Sequence, residues 1–216
     1  MEFVFVVPRE GLFPTCMPQG YQPSGSPEDA REFLDRIRTH GFFVERERAE
    51  HTPVWKQIIP YCVVTNDEGI LLMRRRAKGG EARLHGKLSI GVGGHINPID
   101  TVEGDLVLAA ARREIEEEIR VGGTFELLLA GFLNDDSNPV GAVHLGLVFH
   151  ANVAGEVHIR EQDVLEGHMA THEELRAIHS GSTRGASLET WSSLLIPHLD
   201  ALASVERHAG RLQATI

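Results

Sequence analysis

The sequence predicts a mixed α/β protein, on three observations. Apolar blocks at 58–64, 70–74, 125–132 and 142–150 are short and bounded by turn residues, as strands are. Residues 104–119 instead place Leu108, Ala111, Ile115 and Ile119 at helical spacing on one face. The composition, 42% hydrophobic and 24% charged over 216 residues, is that of a globular chain with one domain, or one domain and an added segment.

Taken in order, the N-terminal stretch Met1-Glu2-Phe3-Val4-Phe5-Val6-Val7-Pro8 reads as a first strand. It lacks the positive n-region of a signal peptide. Five prolines and three glycines between residues 8 and 27 mark a loop. Ser26 has the chemistry of an N-cap, with Pro27 at the first helical position and Asp29 in the first turn. The helix that follows turns Phe33, Leu34 and Ile37 toward a core and ends at Gly41. Phe42-Phe43-Val44 is a short strand.

Residues 58–64 and 70–74 flank the turn Asn66-Asp67-Glu68-Gly69, which makes them a hairpin. A basic, polar loop over 77–88 leads to a short strand, Leu88–Val92, and then to Gly93-Gly94. After the helix at 104–119 come strands at 125–132 and 142–150, separated by the loop 134–139, and a weaker strand at 153–159. Thr171 and Glu174 form a capping-box pair for a helix through Ile178. A last helix runs from Ser187 to His208, with a kink at Pro197.

With 21 Lys+Arg against 31 Asp+Glu, the net charge is −10. A protein that grips a nucleic-acid polymer normally presents a cationic surface, so that partner is disfavoured. No apolar run reaches the ~20 residues a membrane span needs. Two cysteines, Cys16 and Cys62, make no disulfide framework, which fits a reducing cytoplasm. Among the 12 histidines, His168 and His172 are four apart but form no His-Glu-x-x-His pair.

The informative stretch runs from Gly93-Gly94-His95 to Arg113-Glu114-Ile115-Glu116-Glu117-Glu118. At ~100° per residue, Glu114, Glu117 and Glu118 share one arc beside the apolar stripe, and Glu116 points away. Like charges at these spacings repel, more so beside an apolar core where screening is weak. Hard oxygen ligands in this number suit Mg²⁺ or Mn²⁺. Arg113 can pair with one carboxylate and hold it.

A strand ending in Gly93-Gly94, a loop, then a helix bearing Arg-Glu-apolar-x-Glu-Glu resembles the Nudix box, the signature of the Nudix hydrolases. The box reads Gly, five residues, Glu, seven residues, Arg-Glu-apolar-x-Glu-Glu-x-Gly-apolar. Arg113–Glu118 match its core, Arg120 stands where it has Gly, and Val121 follows as the apolar residue. Counting back from Arg113 puts Asp105 at the upstream acid, with Glu103 two residues early. The loop 95–103 then reads as an insertion, and Asp105 is expected to meet Arg113.

The resemblance implies an α/β/α sandwich around a mixed sheet over 56–216, with 1–55 as an N-terminal extension packed on the catalytic body. It implies a Mg²⁺- or Mn²⁺-dependent hydrolase that cleaves a phosphoanhydride in a nucleoside diphosphate linked to another moiety. Glu117, Glu118, Glu114 and the carbonyl of Gly94 would hold the metal, Arg113 would position a Glu, and Glu114 could orient the water. A small nucleotide-type substrate is the implied partner, and a homodimer is common in the family.

The substrate candidates are Arg74 and Arg83, from the basic cluster between the hairpin and the box, and His95 from the box loop. The candidates for a general base on a late loop are Glu161 and Glu166. The rival reading is a non-catalytic Nudix-like module that senses a nucleotide. Intact carboxylates at all three box positions weigh against it. Cys62, in a buried strand, is expected to pack rather than react.

Overall fold

The computed structural model describes residues 1–76, 86–102, 104–160 and 162–202. The first part supplies β1 (Phe3–Pro8), α1 (Arg9–Leu12), β2 (Gly20–Pro23), α2 (Pro27–His40), β3 (Phe42–Glu45) and α3 (Arg46–Glu50). The hairpin is β4 (Trp55–Asn66) and β5 (Gly69–Arg75). Short strands β6 (Leu88–Ser89) and β7 (Gly91–Gly93) lead through a 3-10 turn at Pro98–Val102 into α4 (Leu106–Glu118). Then come β8 (Ile119–Val121), β9 (Phe125–Asn134), α5 (Pro139–Val143), β10 (His144–Val153), β11 (Val157–Ile159) and β12 (Leu165–Ala170). The described chain closes with α6 (His172–His179), α7 (Thr190–Leu195), a 3-10 turn at Ile196–His198 and helical residues 199–202.

The sheet is mixed, in the order β12-β5-β4-β10-β9-β2. β4 and β10 are parallel and the other neighbours on this path are antiparallel. Alternation along the central strands sorts side chains to two faces. Ile58, Cys62 and Val64 of β4, with Leu145, Leu147 and Phe149 of β10, pack on Ala111 and Ile115 of α4 and on Leu34 and Ile37 of α2. Tyr61, Val63 and Val148 pack on Leu175 and Ile178 of α6 and Leu195 of α7. Helices therefore cover both faces, and the architecture is the α/β/α sandwich.

Local chemistry sets the elements that the sequence shows plainly. Ser26 caps α2 through a reciprocal pair with Asp29, and the Gly41 N–H donates to Ile37 O. Asn66 Oδ1 accepts from the N–H groups of Glu68 and Gly69, which closes the hairpin turn. Gly69 lies at φ 151°, where a Cβ would sit 2.2 Å from the Ala170 carbonyl oxygen, so only glycine fits between β5 and β12.

Elsewhere the structure departs from the sequence reading. The loop at 8–27 contains α1 and β2. β2 exists because Tyr21 pairs with Leu133 on β9, and nothing local specifies it. α3 spans five residues, too few to show a period. The segment before α6 is an edge strand, β12, because Glu166 and Gly167 find register partners in Arg74 and Met73. The last helix starts at Thr190 rather than Ser187, and the expected kink at Pro197, which lacks an N–H, is a 3-10 turn between α7 and helical residues 199–202. Residues 203–208 of the expected helix lie outside the described residues.

The N-terminal segment is woven into the sheet. β1 pairs with β4 (Val6↔Gln57) as well as with β3. Arg9 forks onto Asp136 at 2.9 and 2.8 Å, and the fully buried Lys56 ammonium meets Asp136 Oδ1 at 2.7 Å.

Candidate active site

α4 begins at Asp105, whose Oδ1 accepts from the N–H groups of Val107 and Leu108. This is an N-cap, and the other oxygen of Asp105 pairs with Arg38 of α2. One face of α4 buries Val107, Leu108, Ala111 and Ile115, which sets Glu114, Glu117 and Glu118 beside the core. The Glu114 and Glu118 side chains are each 12% exposed, whereas Glu117 is 56% exposed. Glu116 is exposed.

Arg113 is the hub. Its Nε donates to Asp100 Oδ1 at 2.8 Å and its Nη2 to Asp100 Oδ2 at 3.1 Å, a two-pronged pair. Nη1 donates to Glu114 Oε1 at 2.7 Å and reaches Glu117 Oε2 at 3.4 Å. Nη2 also donates to the carbonyl of His95 at 2.9 Å. The hydrogen bonds that Arg113 donates to Asp100, and then that to Glu114, hold the guanidinium firmly protonated. Asp100 itself is buried in the 3-10 turn and accepts from the Asn97 N–H.

The upstream acid is thus Asp100, and the expectation of Asp105 is corrected. Asp105 caps the helix and turns to Arg38; Arg113 pairs with Asp100. Glu103 lies outside the described residues. Counted forward from Gly94, five residues precede Asp100, as in the box. The extra residues therefore fall between the acid and Arg113, not between Gly94 and the acid. That forward count was the signal in the sequence that could have found Asp100.

Gly94 is required by contact: a Cβ there would stand 2.5 Å from Glu114 Oε1. The carboxylate of Glu114 packs directly on the backbone of the strand-to-loop junction. Burial raises its pKa, opposed by Arg113 and reinforced by Glu117. Cys62 lies under α4 with its Sγ 3.9 Å from the Ala111 carbonyl, fully buried, its thiol pushed up first by desolvation and then by Glu114 and Glu118. It packs and does not react.

The other candidates separate. Arg75 of β5, not Arg74, reaches the carboxylates, with Nη2 3.1 Å from Glu118 Oε1. Arg74 leaves the opposite face of β5, level with its register partner Glu166. Glu166 lies near Arg74 and Arg76, at 3.9 and 3.3 Å, and it too faces away from α4. This corrects the expectation that Glu166 sits on a loop beside the site. Arg83 and Glu161 lie outside the described residues. His95 adjoins the site through its carbonyl, while its ring turns toward His144.

Four carboxylates (Asp100, Glu114, Glu117 and Glu118) share this region with two guanidiniums, Arg113 and Arg75, an excess of two negative charges. All donors are hard oxygens and two of the three box carboxylates are largely buried. That set fits a divalent cation such as Mg²⁺ or Mn²⁺.

A strand, a Gly pair, an acid-bearing turn and a helix that presents an arginine-braced carboxylate cluster define a Nudix-type hydrolase site. The chain matches the NUDIX domain over residues 55–190, and it belongs to the Nudix family. Protein YmaB of Bacillus subtilis (strain 168) is 32% identical over 209 residues, which span 92% of this chain and 98% of that protein. The crystal structure of Tm1382, described as a candidate Nudix hydrolase, superposes with a TM-score of 0.75 at 28% identity, covering 94% of this chain and 99% of that one. Nudix hydrolases generally use divalent metals and act on small-molecule nucleotide derivatives. Among the described residues, no helix is long and apolar enough to cross a membrane.

Proposed function

We propose that the chain is a divalent-metal-dependent pyrophosphohydrolase. Its substrate would be a nucleoside diphosphate linked to another moiety, cut at the phosphoanhydride. Residues 56–216 form the hydrolase domain in this reading and residues 1–55 an extension packed on it. The observation that carries the proposal is the placement of Glu114, Glu117 and Glu118 on one side of α4, with Arg113 bracing the first two, Arg75 beside Glu118 and Gly94 beneath Glu114.

Glu117, Glu118 and the Gly94 carbonyl are the residues that would hold Mg²⁺ or Mn²⁺. Bound there, such an ion would neutralise phosphate oxygens and lower the pKa of a water. The rest of the chemistry belongs to side chains. Arg113 acts as a positioning residue: anchored on Asp100, it fixes Glu114 Oε1 and steers Glu117. Glu114 keeps Oε2 to accept a proton from the attacking water. Arg75 stands beside Glu118, where it can pair with a phosphate oxygen.

The test is a panel of nucleoside diphosphate derivatives with Mg²⁺, scored by released products. Glu117→Gln and Glu118→Gln keep shape and remove charge, so kcat should fall by ~10²-fold or more. Glu116→Gln, on the exposed side, should stay within about twofold, as surface changes away from a site do. Equal losses at all three positions would sink the assignment.

A further inference from the structure

We propose that Glu50, His95 and His144 form a second metal site, separate from the carboxylates of α4, for a transition-metal ion of the zinc type. The three come from distant parts of the chain. Glu50 ends α3, His95 lies in the loop after β7, and His144 opens β10. One ligand atom of each lies within 4.8 Å of the other two.

The geometry of the two imidazoles is informative. Their Nε2 atoms face each other at 3.4 Å. Two nitrogens bound tetrahedrally to zinc, each at about 2.05 Å, stand about 3.3 Å apart. His144 is buried, and its Nδ1 lies 2.7 Å from the Val140 carbonyl. A carbonyl only accepts, so Nδ1 carries the hydrogen and Nε2 presents its lone pair toward His95. A backbone carbonyl that fixes the far nitrogen in this way is the usual support of a metal-bound histidine.

A second observation comes from the neighbouring strand. Gln57 is fully buried, and neither its amide oxygen nor its amide nitrogen has a hydrogen-bond partner. Gln57 is the register partner of His144 on the adjacent parallel strand, so the two side chains leave the sheet on the same face from backbones about 4.8 Å apart. An unpartnered amide on the strand beside His144 would be satisfied by an ion at this site, with Gln57 taking its fourth position directly or through a bound water. Glu50 Oε1 is 3.5 Å from Arg46 Nε, a long pair that leaves the carboxylate able to turn toward the ion.

The donor set differs in kind from that of α4. Two imidazoles and one carboxylate favour zinc over magnesium, whereas the α4 cluster offers oxygen alone. The ion would clasp α3, which precedes the stretch matched to the family, to the loop that carries the box. The His95 carbonyl accepts from Arg113 Nη2, so pinning the His95 ring also steadies the hub of the candidate active site.

The experiment uses the full chain, stripped with a chelator and titrated with Zn²⁺ against a chromogenic competitor. Co²⁺ serves as a spectroscopic substitute, and far-UV circular dichroism checks the fold. One Zn²⁺ should bind with submicromolar affinity, and Co²⁺ should give the visible bands of a four- or five-coordinate site. Glu50→Gln, half-buried on a surface helix, and His95→Asn should each weaken Zn²⁺ binding by about tenfold or more while the fold is kept. Glu117→Gln and Glu118→Gln should leave it unchanged. Zn²⁺ binding that is absent from the wild type, insensitive to Glu50→Gln and His95→Asn, or lost with Glu117→Gln would overturn the proposal. Hydrolysis plays no part in the readout, so the result is independent of the proposed activity.

Discussion

Replacing Asp100 by Asn tests whether this residue anchors Arg113. The variant keeps one oxygen for Arg113 but replaces the other with an amide that cannot accept from a guanidinium, and it removes the charge. Hydrogen bonds to charged groups are worth about 1.5–3 kcal/mol each. Loss of one partner of a buried pair costs about 3–5 kcal/mol. The Asp100 side chain is 3% exposed but that of Arg113 is 22% exposed, and Arg113 keeps Glu114, Glu117 and the His95 carbonyl. The cost therefore falls at or below the bottom of that range, about 2–3 kcal/mol. At about 2–4 °C per kcal/mol for a chain of this size, Tm should fall by about 4–12 °C.

Asp105→Asn is the control. Asn caps a helix as well as Asp does, and the partly exposed pair with Arg38 is worth about 0.2–1 kcal/mol. Its Tm should move by less than about 4 °C. Both melts belong in chelator at neutral pH, so that metal binding adds no stability of its own. In Mg²⁺, Asp100→Asn should also lower kcat/KM by about tenfold or more, because misplacing Glu114 by even ~1 Å is costly. If Asp105→Asn destabilised the protein as much as Asp100→Asn, the assignment of Asp100 as the anchor would be wrong.

Three further outcomes follow from the same geometry. Gly94→Ala places a methyl against Glu114 Oε1, so kcat should drop by about tenfold or more with a smaller change in Tm; unchanged kinetics would mean that Glu114 does not need that contact. Arg75→Ala should lower kcat/KM by about tenfold and Arg74→Ala by less than twofold, since only Arg75 faces the carboxylates; the reverse order in steady-state assays would return the role to Arg74. Asp136 is held well below the usual carboxylate range, first by Arg9 and then by Lys56 and Gln19. Its folded pKa is depressed, so its contribution to stability is present above about pH 4 and is lost as the pH falls below that. Asp136→Asn should therefore lower Tm at neutral pH and flatten the acid limb of a Tm–pH curve, and an unaltered curve would show that this network does not hold the N-terminal segment.

The amino-acid sequence by itself determined what is local. The α4 carboxylates are legible because helical spacing converts sequence distance directly into a shared face, and the short range from Arg113 to Glu118 leaves no room for error. The hairpin at Asn66 and the capping box at Ser26 are legible for the same reason, since their hydrogen bonds close within three residues. The acid that meets Arg113 was not legible by counting back, because the insertion between Asp100 and Arg113 changes the count without changing where the turn lands. Which of Arg74 and Arg75 faces α4 depends on strand parity, and parity is set by packing against the core. β12 is a strand because β5 offers it an edge, and that pairing turns Glu166 away from α4. Glu50, His95 and His144 meet because α3 packs on β1 and β4, and because β7 and β10 both pair with β4. Only the tertiary structure decides contacts of that kind, because they are made by chain crossings and not by spacing.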